Sequence, residues 1–193
     1  MKLYYNKRAR LANRDRINWE MAYQLENISI LIVEDNQPML EITKALLVTF
    51  GVGSVFTARN GEEGFTQVCQ HNPDIIIADW MMKPMDGINF TAMIRNNPRS
   101  PNPYVPIILM TGFSEKRRVL QARDAGVTEF LVKPFGAHDL ASRIAHVINR
   151  PRDFIDSPRY FGPDRRRRKS PDYEGPLRRT EDREEADKTV AGI

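Results

Sequence analysis

Four short apolar runs in this chain each deliver a polar, chemically capable residue near their carboxyl end. Residues 28–33 lead into Glu34-Asp35, 74–78 into Asp79, 105–110 into Thr111, and 129–132 into Lys133-Pro134. In an open parallel sheet the carboxyl ends of the strands share one edge, and ligands bind along that edge. Three carboxylates, a hydroxyl and an ammonium would therefore converge from distant parts of the sequence. Clustered acids favour a hard divalent cation such as Mg²⁺, which prefers oxygen ligands. A lysine and a threonine beside them suit a phosphoryl group, whose oxygens need neutralising and hydrogen bonding.

The elements that would position these groups alternate. The run at 28–33 reads as a buried strand from its branched apolar residues. Pro38 suits a first helical turn, and Met39, Leu40, Ile42, Ala45, Leu46 and Phe50 mark one face of a helix that Gly51 ends. A strand at 52–58, a turn at Asn60-Gly61 and a helix over 62–70 follow, broken by Asn72-Pro73 before the strand at 74–78. A loop with Pro84 and Gly87 precedes a helix over 88–95. The proline-rich stretch 97–103 reads as a loop. A strand at 105–110, a helix from a Ser114 cap to Ala125, a strand at 129–132 and a helix over 136–148 complete the series. In that last helix Leu140, Ile144, Val147 and Ile148 face inward. Five strands alternating with five helices predict an α/β fold with a doubly wound five-stranded parallel sheet.

The ordered set Glu34-Asp35, Asp79, Met85-Asp86-Gly87, Thr111-Gly112, Phe130 and Lys133-Pro134 resembles the receiver domain of two-component response regulators, over roughly residues 27–149. One departure is visible: the proline of the loop after the acceptor comes one residue late, in Met82-Lys83-Pro84. The resemblance implies a flavodoxin-like (βα)5 fold with strand order 2-1-3-4-5. It implies that Asp79 is the phosphoacceptor and that Mg²⁺ is held by Glu34, Asp35, Asp79 and the backbone carbonyl of Met81. Asp35 would bind directly and Glu34 through water. Lys133 and Thr111 would contact the phosphoryl oxygens, and Phe130 would be the aromatic that turns inward when Thr111 moves. The peptide before Pro134 would be cis. Met81 and Phe113 would flank the path of the hydrolytic water, and both are apolar, so an acyl phosphate here would be long-lived.

Each residue taken singly has a plainer role. An Asp after a strand is commonly a turn or cap residue, an acidic pair can cap the next helix, and a threonine there can do the same. Lysine is most often solvated, and a core phenylalanine needs no switching role. The combination outweighs them. His71, His138 and His146 show no metal-ligand spacing and read as helix-face or surface residues.

The net charge of +4 is unevenly distributed. Residues 1–26 carry six Lys/Arg against three acids, 27–149 eleven against twelve, and 150–193 twelve against ten. The arms are basic and the central domain is nearly neutral. Three regions follow: an N-terminal extension, 1–26, with a short amphipathic helix over 14–25 carrying Ile17, Met21 and Leu25; the receiver domain, 27–149; and a charged Pro/Arg-rich tail, 150–193, expected to be mostly disordered for want of aliphatic residues. Within the tail, Phe154, Tyr160 and Phe161 interleave with Arg152 and Arg159, a pattern that reads equally as a sticky element or a solvated arm. The lone Cys69 reads as a small helix residue, and with no disulfide it fits a reducing cytoplasm. No apolar run reaches a membrane span, and no secretory signal is present.

These features predict a cytoplasmic phosphoacceptor protein rather than an enzyme, one that catalyses only its own phosphorylation and dephosphorylation in a bacterial-type phosphorelay. The expected partners are a sensor histidine kinase or phosphotransfer protein, an unidentified downstream protein, and a second copy of the chain. The tail is too short and polar for a conventional output domain. The alternative is a nucleic-acid-binding regulator using the basic run 165–169; ten acids in the same tail and the lack of a recognition helix argue against it. A haloacid-dehalogenase-type transferase would need a second Asp where Met81 stands.

Overall fold

A computed structural model describes residues 25–112, 116–157 and 160–165, with the side chains of 116–119 outside that description. The elements run β1 (Ser29–Val33), α1 (Gln37–Thr49), β2 (Ser54–Ala58), α2 (Gly61–His71), β3 (Ile75–Asp79), α3 (Gly87–Asn96), β4 (Ile107–Thr111), α4 (Lys116–Asp124), β5 (Glu129–Val132), α5 (Ala137–Asn149), β6 (Phe154–Ser157) and β7 (Tyr160–Pro163). β1 to β5 form one parallel sheet in the order 2-1-3-4-5. The flavodoxin-like doubly wound expectation holds.

A parallel sheet covered by helices on both faces demands strands apolar on both sides. Accordingly β3 and β4 are buried at every position, and β1 from Ile30 to Val33. Alternate residues feed two cores. Leu31, Ile76 and Leu109 pack with Phe65, Phe90 and Ile94 on one face. Ile30, Ile77 and Met110 pack with Leu40, Leu47, Leu140 and Ile144 on the other. Asn36, Asn60 and Asp86 cap α1, α2 and α3 by accepting from the backbone N–H of Met39, Glu63 and Asn89. Gly51 (φ 82°) and Gly126 (φ 94°) follow α1 and α4 in the left-handed region where glycine is favoured. The anticipated Ser114 cap and the 14–25 helix, bar its last residue, lie outside the described residues.

Helix α1 departs from its expected face. Its buried stripe is Leu40, Thr43 and Leu47, while Ile42 is exposed. Thr43 can be buried because its hydroxyl donates to the Met39 carbonyl at 2.8 Å, so its only polar group is satisfied inside the helix.

The tail requires the larger correction. Residues 154–157 and 160–163, in a tail expected to be mostly disordered, pair as antiparallel strands docked on the domain. Composition misled because aromatics, not aliphatics, supply the buried area of this hairpin. Phe154 and Phe161 each meet Tyr104 edge-on, with ring centroids 5.1 and 5.2 Å apart. Arg95, buried at the end of α3, lies 5.2 Å over the Phe154 ring and donates to the carbonyls of Pro103 (2.7 Å) and Gly126 (3.1 Å). Burial lowers its guanidinium to about 9, which leaves it charged at neutral pH. Arg152 donates to the carbonyls of Thr128 and Asp164. Residues 166–193 lie outside the described residues.

If the hairpin is part of the folded unit, Phe154→Ala removes aromatic packing that the core depends on. Urea unfolding of the full chain should then show a loss of about 1–3 kcal/mol, below the cost at a fully buried site because Phe154 is half-buried. An unchanged midpoint would mean that the hairpin docks without stabilising the domain.

Candidate functional site

The sheet register assembles the site. Val33 lies opposite both Ala58 and Ala78, and Asp79 opposite Met110, so β1, β3 and β4 end at one level. Thr111 lies opposite Val132, one residue before Lys133. The carboxylates of Glu34, Asp35 and Asp79 converge, with ligand oxygens within 4.8 Å of one another. Glu34 and Asp79 are buried and Asp35 is exposed. Thr111 is buried, and its carbonyl accepts from the Lys133 backbone N–H at 2.8 Å.

Lys133 bridges two of the acids. Its Nζ lies 2.7 Å from Glu34 Oε2 and 2.8 Å from Asp79 Oδ1. Burial alone would lower the lysine, but hydrogen bonds to Asp79 and Glu34 outweigh it and hold the ammonium above its ordinary range. Glu34 is pushed above the usual carboxylate range, first by burial and further by the Asp79 charge, against the opposing hydrogen bond from Lys133. The sequence assigned Lys133 to a phosphoryl oxygen and Glu34 to a metal; their pairing with each other went unforeseen. The extra methylene of glutamate over aspartate was the available signal.

The loop after Asp79 folds back tightly. Met81 N–H donates to Asp79 Oδ2 at 3.2 Å, and Gly87 N–H donates to the Trp80 carbonyl at 3.0 Å. A Cβ on Gly87 would sit 2.2 Å from the Asp79 carbonyl oxygen, so only glycine permits this approach. The Met81 side chain, two residues after Asp79, is exposed. Both Lys83–Pro84 and Lys133–Pro134 are cis. Phe130 is half-buried against the core on the α4 side of the sheet. Phe113 lies outside the described residues. His71 stacks on Phe56 and His146 sits 3.4 Å from Glu129, so neither joins the site.

Three acids, two of them buried, with one shared ammonium form an oxygen-rich site fit for a small divalent cation. The family model of the response regulator receiver domain matches residues 30–145. The chain belongs to the response regulator receiver family. It is 30% identical over 123 residues to the chemotaxis protein CheY of Pseudomonas aeruginosa, covering 64% of this chain and 98% of that one. Phosphate regulon regulator PhoB of the same species is 27% identical, with 63% of this chain matched to 52% of the relative. Among solved structures, a response regulator from Chloroflexus aurantiacus superposes with a TM-score of 0.59 at 27% identity, covering 64% of this chain and 98% of the other. The receiver domain of a Pseudomonas aeruginosa sensor histidine kinase, described with magnesium coordinated in its active-site cleft, superposes at 0.57 with 26% identity, covering 63% and 98%. Receiver domains of this family bind Mg²⁺ in their acidic site and interact with histidine kinases or phosphotransfer proteins. Among the described residues no helix is long and apolar enough to cross a membrane.

Removing the shared cation should be costly. Lys133→Ala leaves Glu34 and Asp79 facing each other unpaired, a loss of about 3 kcal/mol near neutral pH. It also removes a hydrogen bond that opposes the upward displacement of Glu34, so that group rises further. The stability tied to a raised carboxyl is present below its unfolded value and lost as pH climbs through the folded one. Chemical denaturation should therefore show a larger deficit at pH 8 than at pH 5. An equal deficit at both would show that lost packing, not charge, is responsible.

Proposed function

We propose that this chain is a two-component response regulator that accepts a phosphoryl group on Asp79 with Mg²⁺ and signals through phosphorylation-dependent protein binding or onward relay. The observation that carries the reading is the Asp79 carboxylate at the end of β3, 2.8 Å from the Lys133 ammonium and clustered with Glu34 and Asp35.

Asp79 oxygen attacks the phosphorus of a phosphohistidine, forming an O–P bond as the P–N bond breaks and the imidazole leaves with its electron pair. Glu34, Asp35, Asp79 and the Met81 carbonyl would hold the Mg²⁺, which supplies charge neutralisation for the incoming dianion. Lys133, already seated against Asp79, exchanges a carboxylate partner for a phosphoryl oxygen, and the Thr111 hydroxyl donates to another. Movement of Thr111 frees space for Phe130 and biases a two-state face built on α4, β5 and α5. The donor would be a sensor histidine kinase or phosphotransfer protein, in the cytoplasm, and the reaction goes no further than the chain's own phosphorylation and dephosphorylation. The docking partner of the altered face would be a downstream protein or a second copy.

Incubation with acetyl phosphate and Mg²⁺ should add one phosphoryl group by intact mass, and Asp79→Asn should add none. Incorporation by that variant at wild-type extent would overturn the assignment. The lifetime of the acyl phosphate should be long, because neither Met81 nor Phe113 offers a group to orient the hydrolytic water. After donor removal the Met81→Asn, Phe113→Glu double variant should lose its phosphoryl group faster than wild type; equal decay would remove both residues from lifetime control.

A further inference from the structure

Residues 80–86 join β3 to α3, and the backbone around Asp79 fixes both ends of that loop. Met81 N–H donates to Asp79 Oδ2 while Lys133 Nζ lies on Oδ1, so each oxygen of the carboxylate has its own partner. Gly87 N–H returns to the Trp80 carbonyl. Between these ends Met82 is buried, but Met81, Lys83 and Pro84 are exposed. The stretch that carries the Met81 carbonyl therefore has few side-chain anchors of its own. Its remaining hold is Met85, which packs partly buried against the core.

Met85 lies across the first turn of α2. A Cβ added at Gly61 would come 2.7 Å from Met85 Cγ, 2.8 Å from its Sδ and 3.0 Å from its Cβ. These separations are well inside van der Waals contact, and Cβ and Cγ sit too near the backbone to swing aside. Only glycine permits so close an approach. The Gly61 N–H, one of the donors that a helix start leaves without an intrahelical partner, donates to the Met85 carbonyl at 3.4 Å. Helix α2 is in turn seated on the strand that carries the other two acids. A Cβ at Gly64, one turn on, would stand 3.1 Å from both Val33 and Phe90. Val33 directly precedes Glu34, and the Glu34 N–H donates to the Ala58 carbonyl, two residues before the Asn60 cap of α2.

We propose that Gly61 and Met85 form a clamp that sets how the 80–86 loop lies over the acid cluster, and so positions the Asp79 carboxylate and the Met81 carbonyl relative to Glu34 and Asp35. Both are positioning residues, since neither belongs to the groups that would touch a cation or a phosphoryl group. The inference rests on the reading of Asp79 as a phosphoacceptor that works with Mg²⁺. That ion demands near-ideal geometry from its oxygen ligands. The sheet register holds the strand ends that bear the three acids, whereas the loop oxygen is placed from outside the sheet. The clamp ties the loop to α2, and α2 rests on β1, so the fourth oxygen is referred to the same frame as the carboxylates. The Met81 N–H on Asp79 Oδ2 carries the same constraint to the acceptor oxygens.

Calorimetric titration of the full chain with Mg²⁺ alone tests the clamp. Gly61→Ala should weaken binding about tenfold, the scale of losing a group that orients a metal ligand. Met85→Ala should weaken it as much, and the double variant no further, because both changes break one contact. Wild-type affinity in Gly61→Ala overturns the clamp, and so does a double variant whose loss is the product of the two single losses. A loss in Gly61→Ala that Met85→Ala does not reproduce points to a general disturbance of α2 and overturns it too. Gly61→Ala leaves every core side chain in place and puts a better helix former in the first turn, so a folded chain is at hand for the deciding measurement. A wild-type chain whose Mg²⁺ affinity is unchanged by Asp79→Asn overturns the reading beneath the clamp, and the clamp with it.

Discussion

Glu34 and Asp79 sit almost out of water at the ends of adjacent strands, and one ammonium, Lys133, holds both. Two buried carboxylates this close would repel each other. The lysine resolves the conflict and ties the β5 edge of the sheet to its centre. Much else serves that arrangement. The apolar interiors of β1, β3 and β4 bring the three strand ends level. Gly87 lets the loop after Asp79 fold onto the Asp79 backbone without collision. The site is therefore poised rather than relaxed, since its cation is already placed where negative charge must later be accommodated.

That poise bears on selectivity. A lysine satisfied by two acids must give up part of one partnership before it can contact anything else. Incoming phosphoryl oxygens and a divalent cation together offer replacements for both sides of the exchange. A phosphoryl group without a cation would bring negative charge to acids that have just lost their lysine. Partner exchange of this kind makes response to the complete combination steeper than response to either part.

Much of this was legible in the residues. Uniformly branched runs such as Ile75-Ile76-Ile77 identify buried parallel strands, and Asn36, Asn60 and Asp86 are capping residues whose role follows from type and place. Strand order was not legible, because alternation alone permits several windings; it came from the resemblance. The inner face of α1 was misjudged because Thr43 counts as polar in a pattern, although its hydroxyl is spent inside the helix. The hairpin escaped for a related reason. Its burial rests on three aromatic rings and a buried guanidinium, contributed by segments distant in sequence: Tyr104, Phe154, Phe161 and Arg95. The Glu34–Lys133 pair joins residues from opposite ends of the domain, and its one available signal was the extra methylene of Glu34.

The docked hairpin also moves the practical edge of the domain. The family match ends at residue 145, and a boundary drawn just after α5 would look natural. A chain cut there would lose the ring that covers Arg95 and both rings that pack on Tyr104, leaving a desolvated cation and an aromatic shelf open to water. Such a fragment could retain every residue of the acidic site and still be a poorer protein, prone to self-association through a surface that the hairpin covers in the longer chain. Its behaviour would then be mistaken for that of the regulator itself.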